Sequence, residues 1–186
     1  MSKILCIVGD FSEDYEVMVP YQALEIAGFE VHVVCPGKKK DDTIQTAVHD
    51  FFPYLQFYHE NEGHKFKLNY SFDDVKPEDY AGIYIPGGRA PEYLRYNQKV
   101  LDIINYFLKA NKPTCAVCHG VLLLAATGNI KGRKMTGFYT TQKDLEAAGA
   151  EYDGSNEAKV DGNLVTGQSY LSHVPMLKEF IKILKQ

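Results

Sequence analysis

The stretch Lys112–Gly120, KPTCAVCHG, constrains the fold more than any other. Thr114–Val117 is a run of small and β-branched residues after a proline and predicts a short buried strand. From Gly120 onward, GVLLLAATG predicts an apolar helix. Cys118 stands at the junction. A strand that ends in a sharp turn into a helix exposes the residue at that turn, which is the geometry of a nucleophile elbow. Glycine after the turn lets helix and strand pack closely. The helix N-terminus carries partial positive charge and free N–H groups, so a thiol held there is expected to lose its proton more easily. His119 adds a titratable neighbour.

Cys115 serves as an internal control. It falls mid-strand, where a cysteine acts as a small buried hydrophobe. The CxxC spacing of Cys115 and Cys118 could also describe a thioredoxin-like redox pair. Against that pair, Cys115 should lie inside the strand rather than on the exposed turn. The other two cysteines, Cys6 and Cys35, also fall in apolar strands, a usage that fits reduced thiols better than a disulfide framework.

The flanking sequence supplies the β-α-β rhythm that such an elbow needs. Lys3–Val8 is a continuous apolar run and predicts a buried parallel strand. Ser12–Ala27 has helical spacing at Val17, Leu24 and Ala27, with Ser12 or Asp14 as N-cap and Gly28 as the closing residue. Glu30–Cys35 is the second strand. Gly82–Ile85 is another, running into Pro86-Gly87-Gly88-Arg89, where adjacent glycines let backbone N–H groups approach a ligand. Pro91–Leu94 reads as a first helical turn and Val100–Lys109 as an amphipathic helix. Lys134–Tyr139 is a strand candidate and Lys143–Ala148 a short helix. Ala158–Val160 and Leu164–Thr166 flank a hairpin turn at Asp161-Gly162-Asn163. Val174–Leu184 is the closing helix.

Residues 36–79 break the rhythm. His49–His59, HDFFPYLQFYH, is rich in aromatics, Phe66–Tyr70 alternates like a strand, and Glu62-Gly63-His64 sits between them as a turn. This predicts an inserted hairpin whose aromatics serve chiefly as local packing, with a substrate-facing or subunit-facing role as the other reading.

The chain has 186 residues and a net charge of −4 with histidines neutral. That length fits one domain with a sizeable core. The mild acidity favours neither nucleic acid nor an anionic membrane as partner. No apolar run reaches the ~18 residues of a membrane span. Met1-Ser2-Lys3 leads straight into a strand without a signal-peptide pattern, so a cytoplasmic location is expected.

Taken together, these residues resemble the DJ-1/PfpI family of the class I glutamine amidotransferase-like superfamily. The matching segments are EDYEVMVPYQAL at 13–24, VCPGKK at 34–39, AVHDF at 47–51, IPGGRAPEYL at 85–94, CHG at 118–120, GNIKGRK at 128–134 and DGNLVTG at 161–167. They run in order over nearly the whole chain. The resemblance is strongest to the plant-type glyoxalase branch, whose members usually carry two such domains in tandem. It implies an α/β fold: a flavodoxin-like three-layer sandwich with a mostly parallel central sheet and a cysteine on an elbow.

Carried over residue by residue, the resemblance makes Cys118 the nucleophile and His119 its neighbouring base. Glu16 matches the acid that contacts the sulfur. Glu92 matches a carboxylate that reaches His119 of an adjacent subunit, which implies a homo-oligomer. Gly87, Gly88 and the residue after the nucleophile match an oxyanion-binding set, and His49 could approach substrate from the insert. The sequence departs from the family where a tyrosine often follows GRK: Phe138 falls there, with Tyr139 next. His173 could approach from the last loop. Glu92 could equally serve its own helix as a dipole partner, and His49 and His173 could be a structural loop residue and a cap.

The expected activity is that of a glyoxalase acting on small α-oxoaldehydes, with a Cys118 hemithioacetal and no cofactor or metal. Deglycation of methylglyoxal adducts would use the same thiol. Two other readings remain: an intracellular cysteine peptidase or amidase of PfpI type, and a redox-sensing, chaperone-like protein in which Cys118 is oxidised.

Overall fold

The computed structural model describes residues 1–154 and 158–186. The chain opens with β1 (Lys3–Ile7), α1 (Asp14–Ile26) and β2 (Glu30–Val34). An excursion follows, built from β3 (Thr43–Asp50) and β4 (His59–Lys67). The main path resumes with β5 (Gly82–Ile85), α2 (Ala90–Leu94), α3 (Gln98–Lys109), β6 (Thr114–Val117) and α4 (Val121–Ala126). It closes with β7 (Lys134–Met135), α5 (Gln142–Ala147), β8 (Glu151–Tyr152), β9 (Ala158–Asp161), β10 (Leu164–Gly167) and α6 (His173–Leu184).

Six strands form the central sheet in the order β2-β1-β5-β6-β10-β9, all parallel except β9 at one edge. Strand alternation divides the core into two layers. Leu5, Ile7, Ile83, Ile85 and Ala116 face Val100, Ile104 and Phe107 of α3 and Leu123 and Leu124 of α4. Ile4, Cys6, Tyr84, Cys115 and Val117 face Val17 and Leu24 of α1 and Met176 and Phe180 of α6. This is the α/β sandwich that the strand-helix rhythm implies: parallel strands need crossover helices, and both faces are covered. All four cysteines are free and buried.

Three local expectations need correction. The N-cap of α1 is Glu13, whose carboxylate accepts from the Glu16 N–H at 2.8 Å; Ser12 Oγ instead accepts from the Gly9 N–H. The inserted hairpin pairs β3 with β4, so Glu62-Gly63-His64 lies inside a strand and the chain reverses through the aromatic run 51–58. Gly63 is demanded by packing: a Cβ there would fall 2.5 Å from Thr46 Oγ1 and 2.9 Å from Asp14 Oδ1. The segment after Met135 leaves the ladder, with the Thr136 N–H donating to Thr166 Oγ1 and the Phe138 N–H to the Cys118 carbonyl. That path brings Phe138 against the elbow.

Candidate active site

β6 ends at Val117 in extended backbone, and Cys118 then takes φ +57° before the chain winds through a short 3-10 turn into α4. A positive φ in a residue with a Cβ costs of order 1–3 kcal/mol and persists only where the surroundings enforce it. Here they do. Gly120 packs under the β5 terminus so closely that a Cβ would meet the Ile85 and Pro86 carbonyls at 2.5 and 2.8 Å. Cys118 is 3% exposed.

Glycines of the neighbouring loop shape the other wall. A Cβ on Gly87 would sit 2.7 Å from both Cys118 Cβ and Glu16 Oε2, and 2.8 Å from the His119 nitrogen. Only a bare backbone fits between acid and thiol. The Gly87 N–H donates to Glu16 Oε2 at 2.7 Å, so this glycine orients the acid and has no N–H left for an oxyanion. Gly88 holds φ +76°, where any side chain would run into the backbone of Phe11–Glu13. The backbone N–H groups of His119 and Gly88 point at Cys118 and favour its charged form.

The electrostatics follow from burial. Glu16 is fully buried, and desolvation, followed by the nearby Glu13 charge, pushes its carboxyl well above the ordinary range. Burial also pushes the Cys118 thiol well up, and an ionised Glu16 would push it further. Two such groups cannot both ionise. Glu16, one helical turn from a second buried acid, is the group held protonated. Its Oε1 has no conventional hydrogen-bond partner and is the oxygen free to carry that proton toward the sulfur. His119 sits with Nδ1 3.4 Å from Cys118 Sγ and Nε2 3.3 Å from Thr140 Oγ1. Burial, with the His49 charge adding to it, pushes its imidazole down to about 4. At neutral pH the site therefore holds a thiol, a neutral imidazole that can accept a proton, and a neutral carboxyl that can donate one.

The insert supplies the roof. His49, 2% exposed, bonds Glu60 Oε2 through Nε2 at 2.8 Å, and Arg89 Nε donates to the same oxygen at 2.8 Å. Tyr58 stacks on His49 with ring centroids 4.0 Å apart and meets His119 edge-on at 6.2 Å. Phe138 lies 5.1 Å from the His119 ring. Tyr139 places its hydroxyl elsewhere, donating to the Gln56 carbonyl at 3.1 Å.

The chain thus brings Cys118, His119, Glu16, Gly87, Gly88 and His49 together. Glu92 is exposed on α2, where its charge reaches His49 and Tyr58 of its own chain. His173 lies apart, in a groove shared with Val19, Ala23 and Leu177, its Nε2 unpartnered. Pro91 and Leu94 turn into the core, leaving Tyr93 and Tyr96 as the exposed apolar neighbours of Glu92. Sequence reasoning missed Glu13, Tyr58, Glu60, Arg89 and Thr140. Glu13 was legible in part, as an acid at the start of a helix; the others acquire meaning only through contacts distant in sequence. Among the described residues no cluster of three or more His, Cys, Asp or Glu is arranged to hold a metal ion, and no helix is long and apolar enough to cross a membrane.

Comparison with known proteins agrees with this geometry. The chain is 46% identical over 184 residues to protein DJ-1 homolog D of Arabidopsis thaliana, covering 97% of this chain and 47% of that protein. It is 32% identical over 183 residues to deglycase PfpI of Pyrococcus furiosus, covering 98% and 99% of the two chains. The chain spans about half the length of the Arabidopsis relatives it matches. Among solved structures, Drosophila melanogaster DJ-1beta superposes with a TM-score of 0.82 at 18% identity, covering 100% of this chain and 92% of that one, which bears on the fold alone. The DJ-1/PfpI family profile matches residues 2–183, and on that match, together with the elbow and its resemblance to the plant-type branch, the chain belongs to the DJ-1/PfpI family.

Proposed function

We propose that this chain is a cofactor-independent glyoxalase that converts small α-oxoaldehydes such as methylglyoxal and glyoxal to lactate and glycolate. The observation that carries the reading is the Cys118 thiol at an enforced elbow, flanked by a neutral imidazole at 3.4 Å and the N–H groups of His119 and Gly88. In this reading Sγ bonds the aldehyde carbon, and His119 takes the thiol proton and passes it to the new hemithioacetal oxygen, which returns the imidazole to its neutral form. The hemithioacetal oxygen is held by the Gly88 and His119 N–H groups. The C–H proton of that carbon moves to the neighbouring carbonyl carbon by way of an enediol, with His119 as base and protonated Glu16 as acid. The resulting thioester is hydrolysed by water, and Sγ leaves with its proton restored. Hydrogen moves only within the substrate, so the balance closes without an external oxidant. Two Pyrococcus relatives named deglycases fit the same opening step on an adduct.

The test is purified protein with methylglyoxal, following loss of aldehyde and formation of lactate. Cys118→Ala is expected to abolish turnover, whereas Cys115→Ala keeps it and costs about 1 kcal/mol of stability. Wild-type turnover in Cys118→Ala would end the reading.

A further inference from the structure

We infer that this site prefers aryl-substituted 2-oxoaldehydes over methylglyoxal, with the ring held in an aromatic pocket beside the elbow; the inference rests on the glyoxalase reading. A cavity of about 200 Å³ opens between Phe51, Phe138, Tyr139, Gln168, Ser169 and Leu171. Phe138 links it to the elbow: its N–H donates to the Cys118 carbonyl at 3.4 Å and its ring lies 5.1 Å from the His119 ring. Phe51 extends that wall, stacked on Phe138 and on Tyr170 with centroids 5.7 and 5.4 Å apart. Ser169 Oγ accepts from the Leu171 N–H at 3.3 Å.

Size and exposure point to a ligand. A methyl group leaves such a space nearly empty, whereas an apolar cavity of about 150 Å³ is enough to bind benzene. Phe51 and Leu171 are 37% and 67% exposed. A Phe51 that served only to pack the insert would be buried; it and Leu171 keep apolar surface in water at this cavity. Ring-on-ring contact favours an aryl group over a branched alkyl of similar volume. The chemistry is that of the smaller substrate: phenylglyoxal plus water gives mandelate, the aldehyde carbon oxidised and the ketone carbon reduced by the same internal proton shift, with water supplying the oxygen.

The experiment compares initial rates on phenylglyoxal and methylglyoxal, with mandelate and lactate quantified as products. The kcat/KM ratio is expected to favour phenylglyoxal by roughly 10–100-fold, the range that apolar pocket contacts supply. Phe51→Ala and, independently, the surface change Leu171→Ser should each bring the ratio down at least threefold, which separates the pocket from the intrinsic reactivity of the aldehyde. Methylglyoxal turnover with a ratio at or below one, or a ratio unmoved in both variants, overturns the inference while leaving the glyoxalase reading intact. Turnover of neither aldehyde removes both.

Discussion

Cys118 and Glu16 form a pair in which each group sets the charge of the other. Both are buried, and desolvation disfavours an anion on either. A protonated Glu16 becomes a hydrogen-bond donor once the thiol ionises, and a charge-assisted hydrogen bond is worth ~1.5–3 kcal/mol, or about one to two pKa units on the thiol. Glu16→Leu is therefore expected to raise the Cys118 pKa by about one unit or more. Glu16→Gln, whose amide can still donate, should fall between that variant and the wild type. Thiolate absorbance against pH is the measurement, and equal values in wild type and Glu16→Leu would remove Glu16 from the mechanism. At this scale the sequence was most informative where chemistry is local. Cys118, His119 and Gly120 are adjacent, and Glu16 stands out as an acid among apolar neighbours. Glu60 and Arg89 were silent because their role is to hold His49, and that chain of contacts joins segments 11 and 29 residues apart.

Among the elements, α1 does more than cover the sheet. Its N-terminus is where the main domain grips the insert: Asp14 accepts from Thr46 Oγ1 and from the His64 N–H, and Glu13 bridges toward β3 at Ala47. The strands of the main sheet were readable because continuous apolar runs have few alternatives, and the β9–β10 turn because Gly162 takes φ +57° in a two-residue connection. The insert was misread because Gly63 looks like a turn residue, and nothing local reveals that Thr46 and Asp14 occupy the space its Cβ would need. The cap itself carries a testable charge. Burial pushes the Glu13 carboxyl up from 4.5 to about 7. A raised carboxyl favours the folded state while protonated, so this contribution is fully present below pH ~4.5 and is lost as pH rises to about 7. Glu13→Gln keeps an acceptor for the Glu16 N–H and removes the titration. Urea unfolding is expected to show the wild type losing on the order of 2 kcal/mol more than the variant across that window. Parallel curves would mean that Glu13 stays ionised in the fold.

For the whole molecule, the sheet order places the ends of β1, β5 and β6 side by side, so the loops after them converge on one edge. Ligand sites in open parallel sheets form there. The same edge carries α2, where Glu92 is exposed beside Tyr93 and Tyr96, 46% and 80% exposed. Within its own chain Glu92 acts on His49 and Tyr58, while the partners of His119 are Cys118 and Thr140. The expectation that the active unit is an oligomer, with Glu92 approaching His119 of a second copy, therefore rests on an exposed acid with exposed tyrosines at the site's rim and on the family resemblance. Such a carboxylate would fix the tautomer of His119 that accepts the thiol proton. If it acts within the chain, Glu92 contributes only ~0.3–1 kcal/mol to its own helix N-terminus. The two arrangements part on concentration. Across an interface, dilution lowers specific activity, and mixing Glu92→Ala with Cys118→Ala restores part of it, because one variant brings the intact cysteine and the other the intact glutamate. A monomer in sedimentation at assay concentration, fully active and unaffected by mixing, would leave Thr140 as the group that orients His119 and place the complete site in one chain.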